Sequence, residues 1–255
     1  MSKSNPPEIH ALTTRGAIHL VMQGKGGVGK SLVSTWLAEY LLTRRKEVRC
    51  IDGDPVNRSL VQYAALNADK LDLVNSDGIV DRTRYDVLLD RFATEESTFL
   101  LDSGATVFLP LWSYIVETEM MRVLRELGKR LYVHCVVCGG EMLNDTLVGF
   151  ETLAKGTPDR NIVLWLNEYF GGIARDGKTF DQMTIFRENS DKVLGSVGIP
   201  QRSPDTFGVA IQRMREKKLT FDEAIQSERF GLAEKSRVHI VRKNVYDQLD
   251  QLEML

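Results

Sequence analysis

Residues 24–31 read GKGGVGKS, and they stand between a mostly apolar strand candidate at 17–23 and a segment with helical apolar spacing that begins at residue 30. A strand that passes through a glycine-rich loop straight into a helix leaves successive backbone N–H groups converging at the positive end of the helix dipole. Glycine lets that backbone curl close to an anion. Such an order places the loop at the end of a sheet strand in an α/β arrangement. In the pattern GxxxxGK[ST], Lys30 reaches the β and γ phosphates of a nucleotide and the Ser31 hydroxyl ligates magnesium. Backbone donors from Gly26, Gly27, Val28, Gly29 and Lys30 then hold the phosphates, with Ser31 and Leu32 completing the nucleotide contacts.

A second pattern overlaps the first. Gly24, Gly26 and Gly29 also satisfy GxGxxG, and Asp52 ends the second strand where a dinucleotide-binding fold places its ribose acid. By pattern alone both readings stand, and a dinucleotide-dependent oxidoreductase is the rival from another class. Lys30 and Ser31, which a dinucleotide loop does not require, favour a triphosphate. So does Asp102 at the end of the apolar strand TFLLD, because a carboxylate beside the loop is what magnesium-phosphate chemistry needs.

The rest of the chain repeats the alternation. Strands are expected at 17–23, 47–52, 71–74, 98–102, 130–137, 162–167 and 193–199, mostly as continuous apolar runs of the kind found where both sheet faces are covered. Helices fit 30–44, 58–66, 83–92, 108–127, 143–154, 182–191 and 205–217. A short helix follows, capped by Thr220 with Glu223 three residues on, and a final one starts near residue 236. The expected fold class is α/β, a doubly wound and mostly parallel sheet with helices on both faces. Residues 1–15 read as a flexible tail and 16–255 as a single domain closed by C-terminal helices.

Composition removes several classes. With 33 basic and 35 acidic residues in 255, the net charge is −2, which supplies no overall drive toward nucleic acid. No run approaches the roughly 18 uninterrupted apolar residues of a spanning helix, and the nearest, 105–116, is broken by Pro110 and Ser113, so membrane insertion is not expected. The N-terminal stretch has no apolar core of the signal-peptide kind, which points to the cytoplasm. Cys135 and Cys138 form a CxxC, but strand alternation sends positions three apart to opposite faces, so these thiols read as structural.

Several motifs together resemble the ParA/MinD ATPases, P-loop proteins with a deviant Walker A loop. The segment KGGVGKS carries an early lysine, Lys25, in addition to Lys30. IDGDP at 51–55 is similar to the family's first switch, and LLDSGA at 100–105 to its Walker B and second switch. LWLNEY at 164–169 resembles the strand end whose asparagine reads adenine, giving Asn167, and GSVGIPQ at 195–201 resembles the segment whose proline sits by the base, giving Pro200. One departure stands out: the family usually has an asparagine four residues after the second switch aspartate, whereas here Asn57 comes three after Asp54.

The resemblance implies an ATP-dependent homodimer with ATP and Mg2+ as cofactors. Lys25 reaches across the dimer to the partner's nucleotide, and Lys30 neutralises charge on the γ phosphate. Ser31, Asp52 and Asp102 hold the metal, Asp54 aligns the attacking water, and Gly104 is a hinge. Wording outside the motifs, including VVCGG, WLNEYFG with GKTFDQM, and KLTFDEA, resembles the TraL-type branch of conjugative plasmids. That branch implies a role in conjugal transfer and a protein partner in a conjugation or DNA-processing complex. A binding module without significant turnover remains the alternative within the family.

Two further features have a functional and a structural reading. The cluster Arg213, Arg215, Lys217 and Lys218 is either a patch for nonspecific DNA or a solvated helix end. Val238, Val241, Val245, Leu249 and Leu252 form a stripe that a membrane or the domain's own core could cover. Acidic Asp247, Asp250 and Glu253 beside it favour the core.

Overall fold

The computed structural model describes residues 16–45, 47–73, 75 and 81–254. The tail expected at 1–15 lies outside the described residues. The first half of the chain runs β1 (Ala17–Met22), α1 (Lys30–Arg44), β2 (Val48–Asp52), β3 (Asp69–Lys70), α2 (Thr83–Thr94), β4 (Thr98–Asp102), α3 (Phe108–Glu117) and α4 (Met120–Glu126). Then come β5 (Arg130–Cys138), α5 (Leu143–Gly156), β6 (Ile162–Asn167), a small hairpin of β7 (Ala174–Arg175) and β8 (Lys178–Thr179), and α6 (Thr184–Arg187). The chain closes with β9 (Val193–Ile199), α7 (Val209–Glu216), α8 (Phe221–Gln226) and α9 (Leu232–Leu249).

Seven strands form one sheet in the order β3-β2-β4-β1-β5-β6-β9, with every pairing parallel. One face packs Ile18, Leu20, Leu101 and Val133 against Leu88, Leu111, Leu124 and Phe150 of α2 to α5. The other packs Val21, Leu100 and Val136 against Leu37 of α1, Met214 of α7 and Val238 of α9. This is the doubly wound α/β fold expected from the sequence. The chain leaves β1 for one side of the sheet, returns through β4, and builds β5, β6 and β9 on the other side. The loop after β1 therefore opens where the strand order reverses, the place where such sheets bind ligands.

The pleat divides the CxxC as its spacing dictates. Cys135 lies in the first core and Cys138 in the second. Both thiols are free and buried, and burial pushes Cys138 up to about 11.

Several elements differ from expectation. Residue 74 of the strand expected at 71–74 lies outside the described residues; at 71–73 there is no strand and β3 lies two residues earlier, where the Arg58 guanidinium takes the Leu71 carbonyl at 3.0 Å and Leu73 is buried in the core. The helix expected at 58–66 is two single turns, Leu60–Gln62 and Ala64–Leu66. The buried Asp52 carboxylate accepts from Leu60 and Val61 N–H at 2.8 and 3.1 Å, which anchors the first turn and stops it short. The helix at 108–127 breaks at Glu119, whose φ of 49° redirects the chain so that Met120 and Leu124 reach the core. The expected 182–191 helix shrinks to α6, and the 205–217 helix begins with a wide π-type turn, Pro204–Gly208. The Thr220–Glu223 capping box forms as expected, and α9 starts at Leu232 rather than near 236.

The stripe Val238, Val241, Val245, Leu249 and Leu252 is buried in the second core. Gln248 completes α9's docking: its side chain accepts from Gly198 N–H at 2.7 Å and donates to Gly198 carbonyl at 3.2 Å, closing part of the β9 edge. Two members of the basic cluster are engaged. Arg213 is held by Glu234 at 2.8 Å and by the Arg229 carbonyl, while Lys218 sits over the Tyr63 ring. No helix among the described residues is long and apolar enough to cross a membrane.

A buried polar chain crosses the second face. Trp165 Nε1 donates to His134 Nδ1 at 3.0 Å, which leaves the His134 Nε2 proton for His19 Nδ1, also at 3.0 Å. Burial, with the charge of Arg45, pulls the His19 imidazole down to about 3, and burial with His19 also lowers His134. Below the ordinary histidine value the unfolded chain binds protons that the folded one refuses, so stability falls as pH drops from 6.5 toward 3. The expected slope is about 1.4 kcal/mol per pH unit for His19 alone. Urea midpoints measured between pH 6 and 4 should fall, and less steeply in His19→Gln; equal slopes would refute the assignment.

Candidate functional site

The glycine loop is shaped for an anion. Gly27 and Gly29 have φ of 77° and 102°, conformations that glycine adopts freely, and a side chain at Gly26 would meet nothing within 4 Å. Gly29 precedes α1 with no side-chain cap, so the first N–H groups of this 15-residue helix are left for a ligand. Lys30 is only 8% exposed and folds back to donate to the Lys25 carbonyl at 2.9 Å. Burial pushes its ammonium below the ordinary value, opposed by the charges of Asp102 and Asp54.

The loop is bolted from below. Gln23, fully buried, donates to the Val136 and Thr146 carbonyls at 2.8 and 3.1 Å and accepts from Gly24 N–H at 2.9 Å. Gly149 on α5 has no room for a Cβ because Gln23 occupies that space. Asn167 donates to the Val28 carbonyl at 3.0 Å and accepts from Tyr169 N–H at 3.1 Å. Lys25 pairs with Asp145 on α5 at 2.6 Å, both about half exposed.

Three carboxylates stand at the ends of β2 and β4. Asp102 accepts from the Ser34 hydroxyl at 2.8 Å through Oδ1, while its Oδ2 is buried without a hydrogen-bond partner. Burial pushes this carboxyl up to about 7, against the pull of the Ser34 and Ser31 hydroxyls. An orphaned buried carboxylate oxygen beside a serine hydroxyl fits a hard cation that takes oxygen ligands. Asp52 accepts from Asp54, Leu60 and Val61 N–H, so its carboxylate shapes the following loop.

Asp54 is gripped by its own turn. It accepts from Val56 N–H at 2.8 Å, Asn57 N–H at 3.1 Å and the Asn57 side chain at 3.1 Å. Burial works against its ionisation, but the Asn57 amide, these backbone donors and the Lys30 charge outweigh it and hold the carboxyl below the usual range. Its carboxylate also fills the space above Gly104, where a Cβ would come within 2.7 Å. Asn57 thus reaches Asp54 across a sequence spacing of three.

The structure gathers Lys25, Gly26, Gly27, Val28, Gly29, Lys30, Ser31, Leu32, Asp52, Asp54, Asp102 and Asn167 around the carboxyl ends of β1, β2, β4 and β6. Pro200 is exposed just past β9, beside Asn167 through the β6–β9 register that pairs Asn167 with Ile199. The sequence reading missed Gln23, Ser34 and Asp145. Ser34 carried a signal, one helical turn after Ser31, whereas Asp145 had none because its partner lies far away in the chain.

Comparison with known proteins agrees with this geometry. Residues 19–238 match the CobQ/CobB/MinD/ParA nucleotide binding domain. Protein TraL of Escherichia coli is 37% identical over 239 residues, which is 93% of this chain and 99% of that protein. A ParA family ATPase from Chlorobium tepidum TLS superposes with a TM-score of 0.55 at 14% identity, covering 89% of this chain and 98% of that one. The MinD cell division protein of Aquifex aeolicus gives 0.54 at 14%, covering 92% and 97%, and at these identities both likenesses speak to the fold. With most of its length matched, and a P-loop at the reversal of a parallel sheet, the chain belongs to the CobQ/CobB/MinD/ParA nucleotide-binding family.

Proposed function

We propose that this chain is an ATP-dependent switch that binds Mg-ATP, pairs with a second copy around it, and hydrolyses it slowly. The observation that carries this reading is the buried Lys30 ammonium with the orphaned Asp102 Oδ2 at the end of a loop of left-handed glycines. Phosphoryl transfer to water asks a protein for position and charge compensation more than for covalent chemistry. The backbone of Gly26 to Lys30 holds the phosphates, with Ser31 and Leu32 at the first turn of α1 and Asn167 and Pro200 at the base. Ser31 and Asp102 would hold Mg2+, with Asp52 behind them, and the ion would supply charge compensation for the phosphates. Asp54, held below the usual carboxylate range, is a weak proton acceptor near pH 7 and serves to orient the attacking water.

Lys25 is assigned to the partner's nucleotide. In the single chain its ammonium is engaged with Asp145, and pairing exchanges that half-exposed contact for a γ phosphate across the interface. Size measurement with a non-hydrolysable ATP analogue should show a dimer that Lys25→Ala loses. A dimer untouched by that change would remove the in-trans role.

The TraL relation supports a place for the switch in conjugal transfer, acting in the cytoplasm on a protein partner. The near-zero net charge and the engaged Arg213 weigh toward a protein rather than DNA. A titration with Mg-ATP followed by a phosphate-release assay tests the core of the proposal. Tight binding of NADH in place of Mg-ATP would overturn it, and binding without phosphate release would leave a switch that does not hydrolyse.

A further inference from the structure

The carbonyl of Val28, at the middle of the nucleotide loop, accepts two hydrogen bonds from beneath. One comes from Asn167 Nδ2 at 3.0 Å. The other comes from the thiol of Cys138, whose Sγ lies 3.2 Å from the same oxygen. Cys138 ends β5 fully buried, and its backbone N–H donates to the Thr146 hydroxyl of α5 at 3.1 Å. The Thr146 carbonyl in turn accepts from Gln23 at the loop's entrance. Loop entrance, loop middle and the first turn of α5 therefore share one hydrogen-bonded frame, and Cys138 links α5 to the loop's centre, which Asn167 holds from β6.

A peptide unit held by its carbonyl has its following N–H set as well, since the unit is planar. Pinning Val28 C=O downward fixes the orientation of Gly29 N–H, and Gly29 already needs its left-handed φ of 102° to enter α1. The surroundings leave little slack: a Cβ on Gly29 would come within 3.2 Å of Asn167 Nδ2, and Gly139 and Gly140 press backbone to backbone on residues 170–172. Burial raises the Cys138 thiol well above neutrality, so it carries the proton this hydrogen bond requires.

We infer that Cys138 is a positioning residue for nucleotide binding, its S–H holding the Val28 peptide in the conformation that presents the loop's N–H groups to phosphate. This rests on the proposal that the loop binds Mg-ATP. It separates the two halves of the CxxC: Cys135 fills the opposite core, whereas Cys138 acts on the site.

The test compares Cys138→Ala, Cys138→Ser and Cys50→Ala in affinity for a fluorescent ATP analogue with Mg2+ and in thermal midpoint. Cys50 is an equally buried thiol on β2 with no role in the frame. Loss of one hydrogen bond predicts about 3- to 10-fold weaker binding in Cys138→Ala, with Cys138→Ser recovering most of it. Cys50→Ala should lower the midpoint and leave affinity unchanged. Equal affinity in all four proteins, or equal losses in Cys138→Ala and Cys50→Ala, would overturn the inference, as would failure of serine to recover binding. A wild type that binds no nucleotide would instead overturn the reading on which the inference stands. Should Cys138→Ala fail to fold, the wild-type chain still decides: one S–H infrared stretch should be displaced by hydrogen bonding and move on addition of Mg-ATP. Thiol bands that stay fixed while nucleotide binds would refute the positioning role.

Discussion

Lys30→Ala abolishes tight Mg-ATP binding in the expected result, weakening it by about 100-fold or more. The Lys30 ammonium is buried at the floor of the loop and feels both Asp102 and Asp54. Truncating one partner of a buried, hydrogen-bonded charge pair costs roughly 2–5 kcal/mol, and each 1.4 kcal/mol is tenfold in affinity. Two losses combine here, because the γ phosphate forfeits its counter-charge and Asp102 forfeits the Lys30 charge that favours its ionised form. Titration with a fluorescent ATP analogue measures the first, and circular dichroism shows whether the fold survives. Affinity within threefold of wild type would mean that the lysine folded back on Lys25 never turns to the nucleotide.

Asp54→Ala should behave in the opposite way, keeping nucleotide affinity while slowing phosphate release by roughly 100-fold, the scale of effect produced by misplacing a reacting group by about 1 Å. Asp54 touches its own turn and the space over Gly104 rather than the phosphate loop. Removing it leaves the cradle intact and frees the water from its orienting carboxylate. ATP then persists at the interface, so dimers should accumulate in size measurements and serve to capture the protein partner. Equal turnover in wild type and variant would remove Asp54 from the mechanism. Asp54→Asn can keep the two backbone hydrogen bonds that Oδ1 accepts while removing the charge, so a comparable loss in that variant shows that the carboxylate itself, not the loop's shape, is required.

Much of the site was legible because its parts are local. GKGGVGKS sits between one strand and one helix, and Asp52 and Asp102 end apolar strands that could be read by composition alone. The CxxC was legible for the same reason, since strand period two sends its members to opposite cores. Less legible were the contacts that join distant segments. Nothing around Asp145 marks it as the partner of Lys25, and nothing around Gly149 shows that Gln23 needs its space. The irregular 58–66 region departs from its pattern for a similar reason: its spacing suits a helix, but the buried Asp52 carboxylate takes the Leu60 and Val61 N–H groups.

By itself, then, the sequence determined the α/β class, the main strands of the sheet and the identity of the loop, because each follows from periodicity and neighbouring residues. Only the tertiary structure decided which side chains meet the loop from outside its own segment. Cys138 and Asn167 hold it from below, Val136 and Thr146 anchor Gln23, Asp145 engages Lys25, and Asp54 rests against Gly104 because parallel crossovers bring the carboxyl ends of β1, β2, β4, β5 and β6 to one end of the sheet. A hydrogen bond needs its partners within about 3 Å, and for residues more than a hundred positions apart that proximity is a property of sheet order, which no local pattern encodes.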